Sequence, residues 1–244
     1  MTEPDITPRE DRLFWGYGDL LLFLGAALPA LLAGGLIVRG LFAGFRWPGQ
    51  GKAPELLAAQ FLAYGFWFAF LYLVLRLKYD RPFWNSLGWV GFKEKFWERV
   101  FLGVGLALAV ALLGGLLRTP NLDTPMKKLL SDRLSVLLVG LAAATIGPVC
   151  EELAFRGFFQ PLLVRSLGPV PGIVLTALPF SLLHGPEYAW SWRHVLLITV
   201  AGVSFGWIRH KTGSTAAAAV MHAGYNSTFF VALLVAGKDL PAKW

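Results

Sequence analysis

Leu134–Leu163 reads LSVLLVGLAAATIGPVCEELAFRGFFQPLL, an apolar run that Glu151, Glu152 and Arg156 interrupt. An ionisable side chain at the centre of a bilayer costs about 3 kcal/mol on insertion scales, and such residues face a polar cavity or one another. The run is long enough to cross a membrane, since a hydrocarbon core of about 30 Å needs about 20 apolar residues. This stretch therefore sets both the solvent, which is lipid, and the place where chemistry is expected.

The rest of the chain agrees with lipid as solvent. Of its 244 residues 56% are hydrophobic and 15% charged, against about 25% charged in soluble domains, and the mean hydropathy is +0.57. Further apolar runs are Leu20–Val38, Leu56–Leu75, Val100–Leu117, Val170–Leu183, His194–Ile208 and Ser214–Ala236. The expected fold class is all-α, a polytopic transmembrane bundle of about seven spans with an intramembrane polar cavity. An eighth span arises if the fourth run breaks at Gly147-Pro148 or at Gly157.

Twenty-two Lys and Arg against fifteen Asp and Glu leave a formal charge of +7. The cations are scattered among the loops, where they set topology and meet anionic head groups, so the bilayer and not nucleic acid is the expected partner. They divide almost evenly between alternate loops and leave the orientation unset. Met1–Asp19 is polar and acidic and precedes a run too long for a signal h-region, so the first span is expected to stay as an anchor. The expected organisation is a polar segment 1–19, one membrane domain 20–236 with its motif core at 134–236, and a short tail 237–244. This is a multi-pass integral membrane protein, in the plasma or inner membrane if the source is prokaryotic. A single cysteine, Cys150, excludes an internal disulfide framework and reads as packing.

Between the second and third spans, Arg81–Arg99 mixes Trp84, Trp89, Phe92, Phe96 and Trp97 with Lys93, Glu94, Lys95 and Glu98. Rings that sit at head-group depth beside charges that reach water describe a surface-lying anchor. Thr119–Arg133 reads as a solvated connection.

Inside the spans the polar residues are few and patterned. Glu152 and Arg156 are four apart on a helix and share a face, whereas Glu151 lies about 100° round. One carboxylate is then held by the arginine and the other is available as a proton acceptor. His184 is followed at once by Gly185-Pro186, which ends or bends its helix and places the imidazole at a discontinuity. His222 and Asn226, four apart, project from one face, with small Ala223 and Gly224 between them to admit a neighbouring helix. His194 and His210 fall at span ends beside Arg193, Arg209 and Lys211 and read as interfacial. Glu187 and Tyr188 read as a solvated turn.

The ordered trio EExxxR at 151–156, FxxxH at 180–184 and HxxxN at 222–226 resembles the CPBP family of intramembrane proteases, which includes Rce1-type CaaX prenyl endopeptidases and Abi-type proteins. All motif residues match, over roughly 134–236. The resemblance implies an endopeptidase that cuts near the C-terminus of, or within, a membrane-associated protein or peptide, which in one branch is lipid-modified. It implies Glu151 as general base, His184 orienting the water, and His222 and Asn226 completing the site, with Glu152, Arg156 and Phe180 in support. No HExxH occurs, so metal-free catalysis is expected; if zinc is present, Glu151, His184 and His222 are its ligands. Two alternatives belong to other classes: a non-proteolytic immunity or scaffold protein that keeps the cluster for bracing, and a proton-coupled transporter, for which no inverted repeat is found.

Overall fold

Backbone in lipid must satisfy its own hydrogen bonds, which leaves helices as the natural solution for so apolar a chain. A computed structural model describes residues 13–44, 52–91, 95–130 and 132–236, and these are all-helical with no strand. Residues 1–12, 237–244, Phe92, Lys93 and Glu94 lie outside the described residues.

Helices α1 (Tyr17–Gly44) and α2 (Lys52–Leu73, extended by a π-helical turn Val74–Lys78) form a hairpin. It closes at Gly34, where an added Cβ would sit 2.7 Å from Ala59 O. Phe23 stacks on Trp67 at 4.3 Å. Helix α1 starts inside the segment expected to be polar: Asp19 is buried in its first turn and accepts from Lys78 Nζ and Tyr79 OH, both at 2.6 Å. A short α3 (Phe83–Ser86) precedes α4 (Phe96–Leu116). In this stretch Trp84, Phe96 and Trp97 are exposed, and the last two open the long apolar helix α4.

Helix α4 ends in a Schellman motif, with Arg118 N bonded to Gly115 O at 3.0 Å and Thr119 N to Gly114 O at 2.9 Å. The residue in the left-handed position, usually glycine, is Arg118 at φ 50°, which costs an L-residue about 1 kcal/mol. The expected solvated connection beyond it contains a short helix, α5 (Pro125–Leu129), capped by the Thr124 side chain.

The decisive stretch folds as four pieces: α6 (Arg133–Ala144), α7 (Ile146–Glu152), a π-helical segment Leu153–Phe159 and α8 (Gln160–Leu167). The break falls at Thr145 (φ −130°, ψ −84°), just ahead of the expected Gly147-Pro148. Pro148 lies in the first turn of α7, where its missing N–H costs no bond. Gly168 (φ 85°) reverses the chain into α9 (Pro169–Leu183). As expected, α9 ends at His184, and a 3-10 turn Gly185–Tyr188 follows. Helices α10 (Trp192–Thr212) and α11 (Thr215–Ala236) complete the chain. Gly224 of α11 meets α4, where an added Cβ would lie 2.8 Å from Val100 O.

Five stretches are long and apolar enough to span: Tyr17–Gly44, Lys52–Lys78, Phe96–Leu116, Arg133–Leu167 and Thr215–Ala236. Helix α9 is shorter, at 15 residues, and α10 carries basic residues at both ends. The expectation of seven or eight spans thus reduces to five that length and hydropathy support. Their outer faces expose leucines such as Leu21, Leu36, Leu112 and Leu116, the surface a lipid tail would cover. The buried cluster around Trp15, Phe23, Leu71, Leu87, Phe158 and Leu162 joins the α1–α2 hairpin to the π-helical segment, and Trp15 Nε1 donates to Phe158 O at 3.2 Å.

Candidate active site

Glu152 closes α7 and Arg156 lies in the π-helical segment, both fully buried. Arg156 Nη1 donates to Glu152 Oε1 at 2.9 Å, the i,i+4 pair that the spacing predicts. Its Nη2 donates to Gly202 O of α10 at 2.8 Å, and one turn on Gln160 Nε2 donates to Gly206 O at 2.9 Å. Both acceptors are glycines because α10 comes close: a Cβ on Gly202 would sit 3.1 Å from Arg156 Nη2. The guanidinium also lies over the Phe180 ring, 4.3 Å from its centroid. Removing one partner from such a pair leaves an uncompensated buried charge, at a cost of about 3–5 kcal/mol.

His222 connects the two glutamates, a link that helical spacing does not reveal. Its Nδ1 is 2.9 Å from Glu152 Oε1; an ionised carboxylate only accepts, so Nδ1–H donates. That turns Nε2 toward Glu151 Oε2, 3.8 Å away, too long for a direct hydrogen bond and suited to a bridging water. Phe205 stacks on the imidazole at 4.4 Å and holds the ring plane.

His184, at the end of α9, places Nδ1 2.8 Å from Phe180 O. A carbonyl only accepts, so this nitrogen donates and Nε2 is the ring nitrogen left for another partner. Phe180 packs its ring against His184, His222 and Arg156 together, which gives the aromatic of FxxxH a defined supporting place. Asn226 Nδ2 donates to Ala143 O at 2.7 Å, tying α11 to α6 just before the Thr145 break and leaving one amide N–H.

A cavity of about 1190 Å³ is lined by Glu151, Phe180, His184, His222 and Asn226. Glu152 and Arg156 stand behind its wall. Among the described residues no group of three or more His, Cys, Asp and Glu side chains is placed to hold a metal ion. Cys150 is half-buried.

Glu187 and Tyr188, expected in a solvated turn, and His194, expected at the interface, line this cavity too, as does Tyr225. Burial pushes the Glu187 carboxyl above its ordinary range, with the nearby Glu151 charge adding to the rise and His184 opposing it. Tyr188 stacks on His194 at 5.0 Å. The one sequence signal for this turn is its position, within four residues of His184 and after a Gly-Pro that folds it back.

Fold and site together define a class: an all-helical integral membrane protein whose glutamate, histidine and asparagine side chains meet at one cavity. Residues 133–228, which hold all three motifs, match the family model described as type II CAAX prenyl endopeptidase Rce1-like, a match that supports a CPBP/Rce1-type family. The match supports a protease of the CAAX type. No curated protein and no solved structure matches the chain.

Proposed function

We propose that this protein is an intramembrane endopeptidase, cutting a peptide bond near the C-terminus of, or within, a membrane-associated protein or peptide, with Glu151 as the general base. The observation that carries the reading is the unequal fate of two adjacent glutamates. Glu151 lines the cavity opposite His222 Nε2, while Glu152 is sealed by Arg156 and His222.

A water held between Glu151 and His222, and oriented by His184, loses a proton to the Glu151 carboxylate as its oxygen attacks the scissile carbonyl carbon. The carbonyl π electrons move onto oxygen, and the remaining Asn226 N–H stabilises that oxyanion. Collapse breaks the C–N bond, and the proton on Glu151 passes to the departing amine nitrogen. The polar pocket within the membrane admits one nucleophile while bulk water stays outside. The bilayer and a protein or peptide substrate are the partners, and no metal takes part.

Purified protein in lipid discs tests both halves. Glu151→Gln should remove cleavage while the variant folds, and retained turnover takes the base role from Glu151. Chelator treatment should leave turnover within two-fold of the untreated protein; a loss that added zinc restores overturns the metal-free mechanism.

A further inference from the structure

The cavity has a second polar end that the hydrolytic step does not use. Lys52, Arg118 and Lys128 line it, each at or beyond the end of a span, whereas Glu151 and His222 lie within spans. Lys52 opens α2, Arg118 follows the end of α4 and Lys128 lies in α5, so three cations near span ends line this one cavity. Arg193 joins them: its Nη1 donates to Arg118 O at 3.4 Å. Much of the remaining wall is apolar, with Leu56, Phe61, Val110, Leu129, Leu197 and Ile198.

Gathering like charges costs energy unless an anion joins them. The acidic groups nearby are Glu55, three residues on from Lys52 in α2, Asp123, 3.5 Å from Lys128, and Glu187 on the cavity wall; no described ion pair ties any of them to Lys52 or Arg118. The placement of Arg118 is itself informative. It occupies the left-handed position of the α4 Schellman motif, where glycine is free of steric cost. A cation near a helix C-terminus interacts with the dipole without adopting that conformation, so the dipole does not account for the strained backbone. Strain of this kind gathers at functional positions.

We propose that Arg118 and Lys128, with Lys52 beside them, bind the C-terminal carboxylate of the substrate and so determine how far from that end the chain is cut. The proposal rests on the endopeptidase reading. Guanidinium and ammonium donors form charge-assisted bonds to a carboxylate, and the apolar walls take the residues between the anchored end and the scissile bond. The cations are exposed and screened by salt, so the preference they confer is modest, about ten-fold.

Two synthetic decapeptides of one sequence, ending in a carboxylate or in an amide, test it with the full chain in lipid discs. Binding is measured in the Glu151→Gln background, which needs no turnover. The free acid should bind about ten-fold tighter than the amide, and Arg118→Ala with Lys128→Ala should bring the two within two-fold, while Arg118→Lys keeps most of the preference. In active protein the same double substitution should raise KM for the free acid about ten-fold with kcat within two-fold. Equal binding of acid and amide, a double variant that keeps the preference, or no binding of either peptide overturns the proposal. Discrimination in binding with no cleavage by the unsubstituted protein overturns only the endopeptidase reading. Discs with and without phosphatidylserine separate the other anion source: if the double substitution lowers only affinity for the anionic lipid, these cations serve a phospholipid and the proposal fails.

Discussion

Glu151 and Glu152 are neighbours in one helix, with the same side chain and about 100° of rotation between them, yet they occupy different surroundings. On the packed side Glu152 accepts from Arg156 and His222, and Arg156 continues the contact to the Gly202 carbonyl. On the cavity side Glu151 is partly exposed and faces His222 Nε2 at 3.8 Å, beyond direct hydrogen-bond distance, where a water seated beside the pair can contact both. The difference teaches that a carboxylate at membrane depth becomes structural or reactive through its partners. Fully bonded, it braces helices; left with one facing base and an open cavity, it can exchange a proton.

The sharpest way to break this comparison is to change one side at a time. Glu151→Gln keeps the shape and removes the proton acceptor; turnover should fall by about 10³-fold, roughly 4 kcal/mol of barrier, with an unchanged melting curve in detergent. On the packed side Arg156→Ala should cost about 3–5 kcal/mol of stability, read as a large drop in melting temperature and in folded yield. A variant that melts like the parent would deny Arg156 its bracing role. If Glu151→Gln were the one that unfolds, the two sides would have to be exchanged.

A finer cut separates the residues of the cavity side from one another. Asn226→Ala should lower kcat by about 10²-fold, the size of losing one oxyanion donor, with KM little changed; a rise in KM alone would place Asn226 in binding. Glu187→Gln tests the smallest effect. The folded protein favours the protonated form of Glu187 over its ordinary value of 4.5, so the stability this group contributes is present below that pH and is lost as pH rises through its folded value. The variant should therefore match the parent near pH 4 and melt slightly higher than it at pH 7–8. Curves that run parallel across that window would mean that Glu187 is as solvated as a turn residue.

Much of the fold was legible because lipid permits so few solutions. Apolar runs located the five spans that length and hydropathy support, and the four-residue spacing of Glu152 and Arg156 located their ion pair. Two connecting regions also face the cavity, which their composition does not show. Thr119–Arg133 and Gly185–Tyr188 are polar and rich in turn residues, which marks them as loops, and only their packing over the cavity reveals that Lys128, Glu187 and Tyr188 line it. The break at Thr145 had no clear local signal, since the nearby Gly147 and Pro148 drew the expectation two residues too far.

By itself the sequence determined that the chain lives in lipid, that it is helical, and which polar residues repeat at helical spacing, because these follow from hydropathy and from the geometry of one helix. Only the tertiary structure decided that His222 lies between the two glutamates, that Phe180 packs against three members of the site, and that Lys52, Arg118 and Lys128 line one cavity. Those are contacts between residues far apart in the chain, and close approach of helices at small residues such as Gly202 and Gly224, which no local pattern specifies, brings them together.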